Sequence, residues 1–230
     1  MPPHEALIVK ADCLSSEAIS RAIAAATSRI GIVWAATAME GLSFLKKRRF
    51  LLAVIGVDLP DMDGLELVRR IIDQRTAVHV MLVVERLDPC TEYLVAQLQV
   101  EGLIDARQEN EKTLSLAFRR VLAGHRFVSK SCRPRSAHDV EIFRKLTPRE
   151  LGVLAILGCG SDDTEAATRL SISAHTVHTH RQQIMRKLRI GSRADLIRRA
   201  ISCGVVRMTG DQIVFPGLAC VRAGERSNVS

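Results

Sequence analysis

Residues 146–196, LTPRELGVLAILGCGSDDTEAATRLSISAHTVHTHRQQIMRKLRIGSRADL, leave the backbone little freedom, because helix starts and stops follow one another in quick succession. Thr147-Pro148-Arg149-Glu150 is a capping box. It offers a Thr hydroxyl for an orphan amide, Pro at the first helical position and a Glu that reaches back. Leu151, Leu154 and Ala155 follow at helical spacing, and Gly158 and Gly160 mark a stop. Asp162 or Asp163 can cap a second, short helix whose Ala166, Ala167 and Leu170 form a small-residue face suited to a close crossing. After the Leu170-Ser171-Ile172 turn, Ser173 caps a third helix from about Ala174 to Leu188.

Assigning about 100° of rotation to each residue divides that third helix in two. Val177, Ile184 and Leu188 share one side and anchor it to its neighbours, while His175, His178, Thr179, Gln182 and Arg186 cluster opposite. This second face contains no acid of its own and carries Gln and Thr, side chains that can hydrogen-bond base edges. A compact helix-turn-helix with such a face is built to lay one helix in the major groove of double-stranded DNA. Charge agrees. Residues 124–230 hold 18 Lys and Arg against 9 Asp and Glu, a net of +9, whereas residues 1–123 hold 15 against 16. That asymmetry favours phosphate contact and salt-dependent affinity.

The segment resembles the DNA-binding domain of the NarL/LuxR/FixJ family of bacterial transcription regulators. LTPRE, the IS-x-x-TV run at Ile172 to Val177, His180, the IMRKL run at Ile184 to Leu188 and Ser192-Arg193 match the family pattern in order. The resemblance implies base contacts from His178, Thr179 and Gln182 and phosphate contacts from Arg181, Arg186 and Lys187. The family usually has Lys where His178 stands, which implies a different sequence preference. It often has Ile where Ala166 stands, which implies a thinner core. Ser192 caps a last helix on which Ala194, Ile197, Ala200 and Ile201 share a side. The family pairs through the equivalent helix, so these four are dimer-interface candidates for a homodimer on an inverted-repeat operator. The alternative for these residues is that they close the domain core.

The N-terminal half is a different kind of object. Short apolar runs at Ala6–Val9, Ile30–Trp34, Leu51–Val57, Val78–Val84 and Leu103–Ile104 alternate with helical patterns at about Ser16–Thr27, Ala38–Lys47, Leu65–Asp73, Thr91–Leu98 and Lys112–Ala123. Five such units predict an α/β doubly wound, five-stranded parallel sheet of flavodoxin-like order, followed by an all-α four-helix helix-turn-helix domain. The expected divisions are a receiver-like domain at 1–123, a basic linker at 124–145, the helix-turn-helix domain at 146–206 and a tail at 207–230. In the tail, Val205-Val206 and Ile213-Val214-Phe215 could pair around Thr209-Gly210-Asp211.

Leu59-Pro60-Asp61-Met62-Asp63-Gly64 resembles the loop of response-regulator receiver domains, and receiver, linker and helix-turn-helix follow in the order of that family. By resemblance an active receiver presents an acceptor Asp, an acidic pair for Mg²⁺, a hydroxyl residue and a Lys. At those positions this chain has Gly56, Lys10 with Ala11, Val84 and Ala106. Without the Asp side chain there is no nucleophile, and without carboxylates Mg²⁺ lacks hard oxygen ligands. Asp58, Asp61 and Asp63 read instead as loop-solvating or helix-capping residues. The receiver is therefore expected to be degenerate, working without Asp phosphorylation through protein contact, a small-molecule ligand at the former crevice or abundance. A second possible interface comprises Tyr93, Leu94, Gln97 and Leu98.

Other function classes find little support. No Gly-rich phosphate loop, nucleophile elbow or clustered acid pair is present, so no enzyme and no cofactor is expected. The six cysteines are scattered without close metal-type pairs and read as reduced thiols. His175, His178 and His180 lack a cysteine or acid in sequence to complete a tetrahedral set, and His180 points away, so no metal site is expected. No apolar run approaches membrane-spanning length and the start, MPPHEALIV, lacks a signal-peptide pattern; a cytoplasmic protein with no membrane partner is expected. The competing reading is an adaptor acting mainly by protein contact with weak DNA binding, against which the reading face and the basic charge both argue.

Overall fold

The computed structural model describes residues 4–11, 13–27, 30–85, 87–98, 100–132, 143–209 and 212–214. They fall into two units, one of residues 1–87 with 94–134 and one of residues 88–93 with 135–230.

Up to residue 128 the chain alternates strands and helices in the order β1 (Glu5–Val9), α1 (Cys13–Ala26), β2 (Gly31–Ala35), α2 (Ala38–Lys47), β3 (Phe50–Gly56), α3 (Gly64–Gln74), β4 (Ala77–Val84), α4 (Pro89–Gln97), β5 (Gly102–Asp105), α5 (Glu111–Leu122) and β6 (Phe127–Val128). The sheet is parallel, with strand order β2-β1-β3-β4-β5-β6. One face packs Ala6, Ile8, Leu52, Val54, Met81, Val83 and Ile104 against Ile19, Ala22 and Ile23 of α1 and Leu114, Phe118 and Val121 of α5. The alternate residues Leu7, Val9, Ala53 and Ile55 are equally buried, and α2 crosses so close to Val9 that a Cβ at Gly41 would stand 2.9 Å from its Cγ2. Burial on both faces explains why β3 is apolar throughout rather than alternating. The strand order reverses between β1 and β3, so the crevice of this sheet lies at their carboxyl ends.

Local caps set the loops there. Asp63 accepts from Leu65 N at 2.7 Å and caps α3. Asp61 reaches across to a different helix, accepting from Ala38 N and Met39 N of α2, both at 2.8 Å. Gly64 is required by close approach: a Cβ there would lie 2.0 Å from the Gly56 carbonyl oxygen.

A sixth strand corrects the expected five. Phe127 and Val128 pair with Gly102 and Leu103, inside the segment read as linker. Two residues are too few to show a period, so sequence pattern could not find them. A 3-10 turn at Lys130–Cys132 follows; residues 133–142 of the expected linker lie outside the described residues.

The second unit contains α6 (Pro148–Gly158), α7 (Asp163–Leu170), α8 (Ala174–Leu188), α9 (Arg193–Ser202) and a hairpin of β7 (Arg207–Thr209) and β8 (Gln212–Val214). The hairpin answers the pairing expected in the tail, with Arg207–Thr209 rather than Val205-Val206 as its first strand. Every residue of α6 from Glu150 to Gly158 is buried, so this helix is covered all round rather than along the stripe of Leu151, Leu154 and Ala155. Its end needs glycine, since a Cβ at Gly158 would lie 2.5 Å from the Ala200 Cβ of α9. Among the described residues no helix is long and apolar enough to cross a membrane.

One carboxylate ties α6 to α8. Glu150, 2% exposed, closes the capping box by accepting from Thr147 N at 2.7 Å while Thr147 Oγ1 accepts from Glu150 N. The same Oε2 accepts from Lys187 Nζ at 2.7 Å. Burial pushes the carboxyl up, but the bonds from Lys187 and Thr147 outweigh it and hold the group below the usual carboxylate range. A folded pKa below the unfolded one means this stabilisation is complete at neutral pH and is lost as pH falls through the carboxylate range. Glu150→Ala should therefore destabilise the second unit by about 2 kcal/mol, from loss of the cap and of a partly buried ion pair. Urea unfolding followed from pH 7 to 3 should show the wild-type advantage shrinking with acid; an advantage constant over that range would contradict the linkage.

Candidate nucleic-acid interface and receiver crevice

The turn between α7 and α8 is short because its ends are capped in sequence. Ser171 takes the left-handed conformation (φ 54°) that ends α7, and Ser173 Oγ accepts from Thr176 N to start α8. Asp162 resolves the capping choice for α7, accepting from Thr164 N and Glu165 N while Glu165 reaches back to its amide. This leaves Asp163 for another role.

Val177 and Ile184 of α8 are buried, Leu188 is half-buried, and His175, His178, Thr179, Gln182 and Arg186 are all exposed. The sequence partition of this helix is thus reproduced in space. His180 turns away from the exposed face, its Nδ1 buried and without a hydrogen-bond partner among the described residues. Thr179 Oγ1 donates to the His175 carbonyl at 3.0 Å, which leaves its oxygen and methyl as the outward groups.

Three cations differ from one another in availability. Arg186 is exposed at the carboxyl-terminal part of α8. Lys187, expected as a phosphate contact, has its ammonium on the buried Glu150, so its observed role is to fasten α8 to α6. Arg181, the third expected phosphate contact, is engaged by Asp163 of α7. Arg181 Nε donates to Asp163 Oδ1 at 3.0 Å and Nη2 to Oδ2 at 2.9 Å. The Arg181 bond, with smaller help from His178, holds the Asp163 carboxyl below its usual range against the opposing effect of burial. Arg181 Nη2 also lies 2.8 Å from His178 Nδ1. The exposed face of α8 therefore does have an acid beside it, supplied by a neighbouring helix 18 residues away in sequence. Two further cations brace the turns: Arg149 Nη2 donates to the Leu170 carbonyl, and Arg193 Nη2 to those of Gly160 and Ser161.

On α9, Ala194 and Ile201 are exposed and Ile197 is half-buried. Ala200 is fully buried against α6, so it closes the domain core and leaves the set of interface candidates.

In the first unit the crevice brings together Lys10 after β1, Gly56 at the end of β3, Val84 at the end of β4 and Ala106 after β5. Lys10 is buried except for 8% of its surface, and its Nζ donates to Glu85 Oε1 at 3.1 Å. Arg107 Nη2 stands 3.7 Å from the other Glu85 oxygen. Lys10 Cγ would be 3.3 Å from any Cβ at position 56, so the lysine stem fills the space beside Gly56. Val84 is buried, and its carbonyl accepts from Ala106 N at 2.8 Å; Ala11 is exposed. Exposed Asp58 forms an isolated backbone bridge with buried Asp63, and Asp12 lies outside the described residues. A hard divalent cation needs several oxygen ligands. Among the described residues the acid beside Lys10, Glu85, is already bound to an ammonium, so the described crevice residues do not fit Mg²⁺. Glu85 and Arg107 escape a motif-based reading because they lie just beyond their strand ends, outside the expected positions.

The family model for bacterial regulatory proteins, luxR family, matches residues 144–200. A putative transcriptional regulator of Pseudomonas aeruginosa is 31% identical over 167 residues, covering 69% of this chain and 78% of that protein. The transcriptional activator protein ExaE of Pseudomonas putida is 28% identical over 165 residues, covering 68% and 77%. Among solved structures, RcsB of Salmonella enterica serovar Typhimurium, bound to promoter rprA with a phosphomimetic, matches with a TM-score of 0.61 at 20% identity. That match covers 87% of this chain and 99% of the other, and it concerns the fold. The family comprises transcription regulators rather than enzymes, and its receiver-like sheet followed by a helix-turn-helix unit is the architecture seen here. The chain belongs to the luxR family of bacterial regulatory proteins, as a DNA-binding transcription regulator.

Proposed function

We propose that this protein is a cytoplasmic regulator that reads an inverted-repeat operator as a dimer and does so without Asp phosphorylation. The reading of DNA rests on the exposed row of His178, Thr179 and Gln182, with Arg186 flanking it for phosphate. The observation that carries phosphate independence is the Lys10–Glu85 pair in the crevice beside Gly56. A phosphoryl acceptor requires a carboxylate aimed at a bound metal, and this crevice instead holds a cation of its own, neutralised by its own acid. Packing of Lys10 against Gly56 favours protein contact over a small ligand as the input to the first unit. Dimerisation is assigned to the α9 strip of Ala194, Ile197 and Ile201, because Ile201 leaves 53% of its surface exposed with no polar role.

Selection of bound genomic fragments by untreated full-length protein, at two salt concentrations, should return a short inverted repeat. Recovery of sequence-blind, salt-sensitive DNA alone would favour the adaptor reading. Gln182→Ala should lower operator affinity about tenfold and leave non-specific binding nearly unchanged. Arg186→Ala should weaken both and reduce the salt slope by about one.

Incubation with acetyl phosphate and Mg²⁺ should add no phosphoryl mass to the intact protein and leave operator affinity unchanged. A stable aspartyl phosphate on any residue of the first unit would sink phosphate independence. Ile201→Asp should weaken binding to the full repeat while sparing a single half-site, as gel-shift titration of both fragments can decide.

A further inference from the structure

Arg181 offers hydrogen-bond donors and no acceptor. The Nδ1 of a neutral imidazole facing it at 2.8 Å is best satisfied as the acceptor of that donor, which puts the ring proton on Nε2. Arg181 is in turn held by the two-point bond to Asp163, the planar fork that a carboxylate holds best. Asp163 Oδ2 also lies 3.4 Å from His178 Nδ1, so a protonated ring has an acceptor at the same corner. In either protonation state Nε2 is an N–H donor, on a side chain that keeps 51% of its surface exposed.

We propose that Asp163 and Arg181 form a clamp that fixes His178 as an Nε2–H donor, and that this clamp sets the base preference at the position His178 meets. The inference rests on His178 reading a base edge, as argued above. In the major groove a single donor suits guanine best, because N7 and O6 are adjacent acceptors. Adenine N7 and thymine O4 are tolerated, and cytosine, which presents its N4 amino donor, is rejected. An unclamped neutral histidine could place its proton on Nδ1 and offer the Nε2 lone pair to cytosine. Asp163 makes no base contact in this account. It is a positioning residue, and Arg181 Nε and Nη2 do the clamping.

The test compares operators selected from a randomised library by full-length wild type, Asp163→Ala, Asp163→Glu and His178→Ala, with histidine ¹⁵N spectra of the same proteins free of DNA. Wild type should show the Nε2–H tautomer at His178 and disfavour cytosine at one operator position. Asp163→Ala should relax that one column about tenfold and leave the others intact. Asp163→Glu should restore it in part. An Nδ1–H tautomer in the wild type, a preference for cytosine at that column, or an Asp163→Ala profile identical to wild type overturns the clamp. Loss of every column in Asp163→Ala also overturns it, since a merely structural role would act that way. If His178→Ala changes no column, or wild type selects no motif, the underlying assignment of His178 to base reading fails. If His178→Ala erases the column and Asp163→Ala does not, the clamp alone fails.

Discussion

A carboxylate placed where almost no water reaches it organises the second unit. Glu150 sits in the first turn of α6, the helix that the others surround, and an isolated charge there would cost several kcal/mol. It is tolerated because one oxygen takes both the Thr147 amide and the Lys187 ammonium. The same group thus starts α6, where four amides would otherwise lack partners, and fixes the last turn of α8. With Val177 and Ile184 buried near one end and the middle, α8 is held at three points along its length. Its outer face can then be given over to polar side chains without loss of position.

The first unit handles buried charge by a comparable device. A parallel sheet covered on both faces gathers its loops at the carboxyl ends of the strands, where the order reverses. In this chain Lys10 enters that crevice covalently, so its ammonium needs an anion, and Glu85 from the end of β4 supplies one. Gly56 leaves room for the lysine stem. These are mutually dependent features: an acid at 56 would meet the stem, and removing Glu85 would leave Lys10 without its crevice carboxylate. The receiver fold persists because its stability comes from Ile8, Leu52, Val54, Phe118 and their neighbours, which take no part in the crevice.

Much of this was legible in the residues themselves. Strand and helix order followed from apolar runs and period, and each helix of the second unit begins at a Ser, Thr or Asp whose side chain does accept from the backbone. What sequence could not give was the partner of a side chain on another element. Asp163 reads as a second capping candidate until α8 is laid beside it. Lys187 reads as a solvent-facing cation until Glu150 is known to be buried beneath it. Ala200 shares a helical stripe with Ile197 and Ile201, yet its small size lets α9 close on Gly158. The all-round burial of α6 goes beyond the stripe of Leu151, Leu154 and Ala155, and the unbroken apolar run of residues 151–158 is the sequence signal for it.

These pairings also change how the basic charge should be understood. The net of +9 over residues 124–230 suggests a broad electrostatic footprint, but two of the cations expected to touch phosphate are matched by carboxylates, Arg181 by Asp163 and Lys187 by Glu150. Counterion release depends on phosphates actually neutralised, not on formal charge. Arg149 and Arg193 keep their charge, yet both are pinned to carbonyl oxygens at the helix turns, so they act from fixed positions. On the proposed reading of DNA, general affinity is thereby reduced relative to the charge count, while His178, the proposed base contact, is held by Arg181 and Asp163. A regulator competing against a genome of non-specific sites benefits from that exchange, because the ratio of specific to non-specific binding decides occupancy.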